Sequence, residues 1–184
     1  MPIYYFWGDD DFALTKAVSD IKNQYLDDNW IQFNFNKFTS DKEDVIREAF
    51  LQAMTPPFGM GDRTIWLENT NICQSCSEEL LTEIKRTIQQ IPDTTHLIFT
   101  SSKKPDSRLK STKLISQYTK IKEFSLIPSW QTDVLIKKVE EMTDQKGLKL
   151  TVNALKLLAS SVGNNSRLLW QELEKLAIYQ QNNK

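Results

Sequence analysis

Up to Phe124 the apolar residues follow two different periods in turn. Short runs rich in β-branched and aromatic residues alternate with longer stretches in which apolar residues return every three or four positions. This arrangement predicts an α/β fold with a largely parallel sheet. The five predicted strands are Ile3–Trp7, Trp30–Phe38, Thr64–Leu67, His96–Thr100 and Lys120–Phe124.

The second predicted strand has the most regular alternation. Ile31, Phe33 and Phe35 fall on one face, and polar residues lie between them. We therefore expect one face of this strand to be exposed to solvent.

Four amphipathic helices are predicted between the strands, and the fourth covers Ser107–Tyr118. Ser40 and Glu43 fit a capping box, and Ser77 stands where an N-cap would accept backbone amide hydrogens. The apolar positions of the first three helices are Leu14, Ala17, Val18, Ile21 and Tyr25; Val45, Ile46, Ala49, Phe50 and Ala53; and Leu80, Leu81, Ile84, Ile88 and Ile91.

After Phe124 the strand pattern ends, and only helical periodicity follows the turn at Pro128. We expect an α/β domain at residues 1–126 and a small helical domain at residues 127–184. The polar final residues carry no stop signal, so we also expect the chain to be a fragment of a longer protein. The last three predicted helices are Ser129–Lys146, Thr151–Val162 and Asn165–Gln180, with Thr151 as an N-cap and Gly147 and Gly163 at C-caps.

Composition and charge narrow the range of functions. The apolar fraction of 40% and charged fraction of 26% are typical of a soluble globular protein. No apolar run could span a bilayer and the N-terminus does not resemble a signal peptide, so we expect a cytoplasmic protein without membrane partners. A net charge of −1 and a pI near 5.9 argue against a dedicated nucleic-acid binder.

The turn after the first strand lies where a P-loop protein would bind nucleotide phosphates. Such a cradle needs several glycines and a Lys-Ser/Thr pair, but this turn has Gly8 followed by Asp9, Asp10 and Asp11. Three carboxylates would repel a triphosphate. We predict that ATP does not bind here by that route, and that Asp9 and Asp10 cap the following helix.

A phospho-receiver domain is a second interpretation of the acidic turn, supported by Thr100 after the fourth strand and a lysine near the fifth. A receiver also needs an aspartate nucleophile at the end of its third strand. Here that position holds Glu68 and Asn69, and glutamate is one methylene too long to replace the phosphoacceptor.

Cys73 and Cys76 have the spacing of a redox pair and precede a predicted helix. The sequence context of a thioredoxin is absent, and a zinc site would need carboxylates in addition to the single His96. We interpret the cysteines as incidental thiols and His96 as structural. No catalytic, cofactor-binding or metal-binding residue is predicted.

A basic cluster follows the fourth strand and could contact a phosphate backbone or form a solvated helix face. Asp106 is the only acidic residue in its span from 103 to 122. The cluster contains Lys103, Lys104, Arg108 and Lys110, followed by Lys113, Lys120 and Lys122.

The segment Thr55–Gly61 contains two prolines and two glycines, which disfavour both helix and strand. Phe58 and Met60 therefore lie in a surface loop. Phe58 either folds back onto the core or serves as an apolar plug for a pocket of a partner. The residues alone favour neither interpretation.

Three stretches of sequence, in order, carry a family resemblance. They are the strand and turn Tyr5–Phe12, the strand and loop Leu97–Arg108, and the helical pattern Gly147–Leu176, which ends in Glu-Leu-Glu-Lys-Leu. Through them the chain resembles the delta subunits of bacterial DNA polymerase III clamp loaders. The resemblance implies an AAA+-like, P-loop NTPase-type parallel sheet with a degenerate nucleotide site, followed by a three-helix lid domain. The collar domain of the family would be absent.

The resemblance also implies a function. A delta subunit would bind and open the β sliding clamp for loading onto DNA, with no catalysis of its own, within the polymerase holoenzyme, a nucleotidyltransferase complex. Its other partners would be primer–template DNA and the remaining clamp-loader subunits, reached through the missing C-terminal domain. The alternatives are an ATP-binding AAA+ motor subunit and a phospho-receiver-like signalling domain.

The resemblance assigns the clamp contact to the loop after the second main helix. Phe58 would be the main anchor, with Pro57 and Met60 beside it. Members of the family commonly have Leu-Phe or Phe-Phe where this chain has Pro57-Phe58.

Overall fold

The structure of the chain, a computed structural model, describes residues 2–39 and 42–182. It divides into two compact units, Met1–Phe124 and Ser125–Lys184.

The first unit is a five-stranded parallel sheet with helices on both faces. The strands lie in the order β2-β3-β4-β1-β5, so the predicted α/β fold with a parallel sheet is confirmed. A short 3₁₀ helix follows α4 at Ile88–Gln90. The elements are β1 Ile3–Trp7, α1 Asp11–Tyr25, α2 Ile31–Asn34, β2 Phe35–Thr39, α3 Glu43–Ala53, β3 Arg63–Glu68, α4 Glu78–Thr87, β4 Thr95–Ser101, α5 Lys110–Tyr118 and β5 Thr119–Glu123.

The alternation of side chains along the central strands supplies two cores. In β4, Leu97 and Phe99 face a cluster formed with α3, α4 and α5, whereas Ile98 faces a smaller cluster with α1. Every residue of β4 is buried. Full burial of one large apolar side chain stabilises a fold by about 1.5–3 kcal/mol. The two core clusters therefore hold the sheet and its helices together, and this fixes where the connecting loops begin and end.

The second predicted strand is wrong in its first half. Residues Ile31–Asn34 form the short helix α2, and β2 begins only at Phe35. The backbone amides of Phe33 and Asn34 donate to the carbonyl oxygen of Trp30 at 3.0 and 3.1 Å. Trp30 and Phe33 thus lie one helical turn apart, with ring centroids 6.2 Å from each other. Over so few residues, the alternation of apolar and polar side chains did not distinguish this short helix from a strand.

Three predicted N-caps are confirmed. The side chains of Asp10, Ser77 and Thr151 each accept the backbone amide hydrogen three residues further on, at 3.0, 3.1 and 3.3 Å. These bonds satisfy amide groups that have no partner within the helix.

The predicted capping box involves Ser40, which lies outside the described residues. Helix α3 begins at Glu43, with Lys42 as its N-cap. The Glu43 carboxylate accepts hydrogen bonds from the backbone amide and hydroxyl of Ser77, at 3.2 and 2.9 Å. It therefore links the start of α3 to the start of α4.

The second unit has three helices among its described residues, as predicted. Their core is formed by inward-facing residues that include Leu135, Leu155 and Leu173. Gly147 and Gly163 follow the first two helices with positive φ values of +66° and +64°, which glycine adopts more readily than other residues. No helix in the described part of the chain combines the length and apolarity needed to cross a membrane. The helices are α6 Thr132–Gln145, α7 Val152–Val162 and α8 Ser166–Asn182.

Candidate functional site

The Thr55–Gly61 loop is an exposed connection between α3 and β3 with no helix or strand of its own. Phe58 is 57% exposed and Met60 68% exposed, whereas Pro57 is partly buried. The expectation of a surface loop is confirmed. Phe58 belongs to neither of the buried core clusters of the sheet.

Phe58 packs against two aromatic residues from a distant part of the sequence. Its ring centroid lies 5.3 Å from that of Trp30, in an edge-on arrangement, and 5.5 Å from that of Phe33. We call Trp30, Phe33 and Phe58 the aromatic patch. Helix α2 and the Thr55–Gly61 loop both contribute to its exposed apolar surface, because Phe33 is 50% exposed and Phe58 57% exposed.

Asn34 fixes the backbone of the loop at Phe58. Its side chain is fully buried, its Oδ1 accepts the Phe58 amide hydrogen at 2.7 Å, and its Nδ2 donates to the Phe58 carbonyl oxygen at 2.8 Å. The same Nδ2 lies 3.4 Å from the carbonyl oxygen of Met60. A buried amide that satisfies both polar groups of one residue holds that residue in a defined orientation.

Gly59 allows the loop to run directly beside Trp30. Its φ of +72° is the left-handed conformation, and a Cβ at this position would overlap the indole ring of Trp30. The position therefore requires glycine for both its backbone conformation and its close packing.

The end of the loop is anchored by Asp62. The Asp62 backbone amide donates to the carbonyl oxygen of Tyr25 at 2.9 Å, and its Oδ2 lies 2.8 Å from Nε2 of buried His96. The His96 ring stacks on Tyr25 with centroids 3.9 Å apart. This supports the structural interpretation of His96, although the sequence gave no indication of Asp62 as its partner.

Sequence reasoning missed the contribution of α2 to this site. Trp30, Phe33 and Asn34 had been placed in a strand, where Asn34 would have been one of the solvent-facing polar residues. The sequence shows only that Asn34 lies among aromatic residues. That observation does not identify a hydrogen-bond partner 24 positions away.

A separate cleft of about 450 Å³ lies at the carboxyl ends of β1, β3 and β4, where a P-loop protein would bind phosphates. Three of its lining residues carry carboxylates, namely Asp9, Asp11 and Glu68. Among the described residues that line it there is no lysine or arginine. We call it the acidic cleft.

Backbone amides of the turn above the acidic cleft already have internal acceptors. The Gly8 amide donates to the carbonyl oxygen of Ser101 at 3.1 Å, and the Asp10 amide donates to that of Phe124 at 2.9 Å. A phosphate cradle needs such amides to point at the ligand. The turn is therefore tied to β4 and to the end of β5.

The strand order contradicts the phospho-receiver interpretation. In the flavodoxin-like order of receiver domains, 2-1-3-4-5, the first strand lies between the second and the third. Here β1 lies between β4 and β5. The acidic turn after β1 and the residues after β3 are consequently not on neighbouring strands.

The four basic residues suggested to face DNA are exposed on the loop after β4 and at the start of α5. Lys110 Nζ lies 2.6 Å from Glu78 Oε1, and Lys104 Nζ lies over the Trp7 ring at 5.7 Å. Helix α5 begins at Lys110 rather than at Ser107 as predicted. Lys103, Lys104, Arg108 and Lys110 are the four residues concerned.

Arg108 is paired within its own turn. Its Nη2 lies 2.7 Å from Asp106 Oδ2, and its backbone amide donates to Asp106 Oδ1 at 3.0 Å. Hydrogen bonds from Arg108 lower the pKa of the Asp106 carboxyl to about 2. This pairing reduces the net positive charge that the basic cluster presents.

Cys73 and Cys76 are free thiols. Burial raises the pKa of Cys73, and burial with the nearby carboxylates of Glu43 and Glu78 raises that of Cys76 to about 11. A reactive redox cysteine requires the opposite shift. The interpretation as incidental thiols is therefore favoured.

Comparison with known proteins identifies the family. The sequence model of the family described as DNA polymerase III, delta subunit matches residues 4–125. The chain belongs to this family. The predicted family is thereby confirmed, and no curated protein matches the sequence.

Solved structures agree with the fold of this delta-family chain. It is similar to the Bacillus subtilis DNA clamp loader delta protein YqeN, with a TM-score of 0.81 and 20% identity over 97% of this chain. The match covers 53% of that protein, so this chain spans about half its length. At this identity the likeness concerns the fold, and it confirms the expected class.

A weaker likeness connects the chain to domain III of the Thermotoga maritima replication initiation protein DnaA. The TM-score is 0.46 and the identity 14%, with 98% of this chain and 77% of that one covered. A similarity at this level carries no argument about function.

Proposed function

We propose that the chain is part of a clamp-loader delta subunit that binds and opens the β sliding clamp. Residues 1–126 would form the AAA+-like domain and residues 127–184 the helical lid. Membership in the DNA polymerase III delta family supports this proposal.

The observation that carries the clamp contact is the exposure of Phe58 on a fixed backbone. Phe58 is 57% exposed, and both of its backbone polar groups are hydrogen-bonded to buried Asn34. Its apolar ring is therefore suited to enter a pocket of a partner. Burial of the part of Phe58 that is still exposed supplies about 1–2 kcal/mol. Because the loop is already ordered, little of this is offset by loss of conformational freedom. Pro57 and Met60 are the flanking contacts.

Binding alone does not open a ring. A ligand shifts a conformational equilibrium only by its difference in affinity between the two states. The loop must therefore bind the open-compatible clamp more tightly than the closed clamp. Partner subunits that expose or cover Phe58 would make this step depend on ATP.

The chain itself would hydrolyse no ATP. Its acidic cleft would repel a triphosphate, and the Gly8 and Asp10 amides are already used by internal carbonyl groups. Its place in a nucleotidyltransferase complex would come from assembly with the other loader subunits and the polymerase. Lys103, Lys104 and Lys110 could approach primer–template DNA within that assembly.

The substitution Phe58→Asp tests the contact. We expect at least a hundredfold loss of affinity for purified β clamp from the same organism, because a carboxylate would have to enter an apolar pocket. Surface plasmon resonance with immobilised clamp measures the effect. Leu157→Asp is the matched control, since Leu157 on α7 is 67% exposed and lies in the other unit. Equal affinities of the Phe58→Asp and control variants would refute the assignment.

A further inference from the structure

The exposed face of the aromatic patch is built from two segments of the chain. Phe33 on α2 is 50% exposed and Phe58 on the loop 57% exposed, and their ring centroids lie 5.5 Å apart. A partner surface that surrounds the Phe58 ring must therefore also meet the Phe33 ring.

We propose that α2 is the second half of the clamp-contact surface, with Phe33 touching the clamp directly and Asn34 acting as a positioning residue for Phe58. This inference rests on the proposed function, because it takes the β clamp as the partner of Phe58. It adds residues outside the Thr55–Gly61 loop to the contact.

Phe58 is supported by Trp30, which also contacts the neighbouring residue of the loop. Trp30 is partly buried, its indole packs edge-on against Phe58, and Gly59 fits directly against the same indole. Trp30 therefore forms the base of the aromatic patch, and Phe33 and Phe58 form its outer face.

Asn34 is suited to position Phe58 because its side chain accepts one hydrogen bond from the Phe58 backbone and donates another to it. Its Oδ1 accepts from the Phe58 amide and its Nδ2 donates to the Phe58 carbonyl oxygen, at 2.7 and 2.8 Å. An isosteric Asp keeps the acceptor and replaces the donor with an oxygen that repels the carbonyl group. Asn34→Asp therefore perturbs the loop without changing the volume of the side chain.

Direct contact by Phe33 is tested on clamp affinity. We expect Phe33→Ala to weaken binding about tenfold and Phe33→Asp to weaken it further, because the ring would be a central apolar contact. Phe33 is half exposed, so the fold should tolerate both changes. Leu157→Asp again serves as the control, and clamp affinities of the two Phe33 variants equal to the control would overturn the proposal.

Positioning by Asn34 is tested with a double-mutant cycle. We expect Asn34→Asp or Asn34→Ala to weaken clamp binding about tenfold alone and to have little further effect in a Phe58→Ala background. Hydrogen exchange at the Phe58 amide should accelerate in both Asn34 variants. A general loss of stability would instead weaken binding equally in both backgrounds, and that result would reject the positioning role.

The Phe58→Asp variant separates failure of this inference from failure of the proposed function. If Phe58→Asp weakens clamp binding while the Phe33 and Asn34 variants match the control, only the inference about α2 is wrong. If Phe58→Asp also matches the control, the clamp contact is elsewhere and both are wrong.

Discussion

The thiol of Cys76 shows how neighbours distant in sequence decide the chemistry of a residue. It lies before the N-terminus of α4, where the helix dipole would favour a thiolate. Burial and the carboxylates of Glu43 and Glu78 outweigh that effect and raise its pKa to about 11. The protonated thiol is a poor nucleophile at neutral pH.

We predict that iodoacetamide modifies Cys76 at pH 8 roughly a hundredfold more slowly than an unperturbed cysteine of pKa about 8.5. The rate should rise about tenfold per pH unit up to pH 10, because the thiolate fraction does so below the pKa. Mass spectrometry of labelled peptides measures the rate, and the urea-unfolded chain is the control. A plateau below pH 9 would show that the thiol is activated.

Phe58 illustrates what local sequence determines and what it leaves out. The prolines and glycines around it were sufficient to predict an exposed loop. They contained no information about Asn34, which is 24 positions away and holds the Phe58 backbone through its amide. Nor could they indicate that Trp30 would lie against Phe58, because that contact depends on the tertiary fold. The location of the loop was predictable and its orientation was not.

At the scale of elements, burial explains why the central strands were predictable. Strands β1, β3 and β4 were placed to within one residue, since their apolar runs are enclosed by adjacent strands and helices. The edge strand β5 is mostly exposed and was still placed to within one residue, so position at the edge alone does not explain the error at the other edge strand, β2. There the tertiary contact between α2 and the Thr55–Gly61 loop prevailed over a local alternation that resembles a strand.

The joint between β1, α1 and β5 depends on Gly8. Its φ is +144°, and a Cβ would overlap the carbonyl oxygen of Phe124, which accepts a hydrogen bond from the Asp10 amide. We predict that Gly8→Ala destabilises the first unit by about 3 kcal/mol through backbone strain and overlap together. Faster hydrogen exchange of the sheet amides, followed by mass spectrometry, measures the effect.

Gly147→Ala is the matched control for the Gly8 variant. Gly147 also has a positive φ, +66°, but no atom lies within 4 Å of the position of its Cβ. Gly147→Ala should lower the free energy of unfolding of the second unit by about 1 kcal/mol, and only peptides of that unit should exchange faster. Equal effects of the two substitutions would mean that the overlap with Phe124 is relieved at no cost.

At the scale of the whole molecule, similar numbers of acidic and basic residues are unevenly distributed. The net charge is only −1, yet carboxylates occupy the acidic cleft at the carboxyl ends of the strands, and a basic cluster follows β4. In parallel α/β folds ligands bind in such clefts. The carboxylates make this cleft an unfavourable place for the phosphates of a nucleotide, as the proposed function expects.

Calorimetry with ATP and Mg²⁺ tests that conclusion. We predict no saturable binding up to millimolar ATP, both for the natural chain and for a variant with Asp9→Asn and Asp11→Asn, which leaves Glu68 paired with Lys37. The variant distinguishes two causes, because neutralising the two aspartates removes their repulsion and leaves the Gly8 and Asp10 amides bonded to internal carbonyl oxygens. Binding by the variant alone would show that charge is the sole obstacle. Micromolar binding by the natural chain would favour the ATP-binding motor, since a folded cradle would then exist despite three carboxylates.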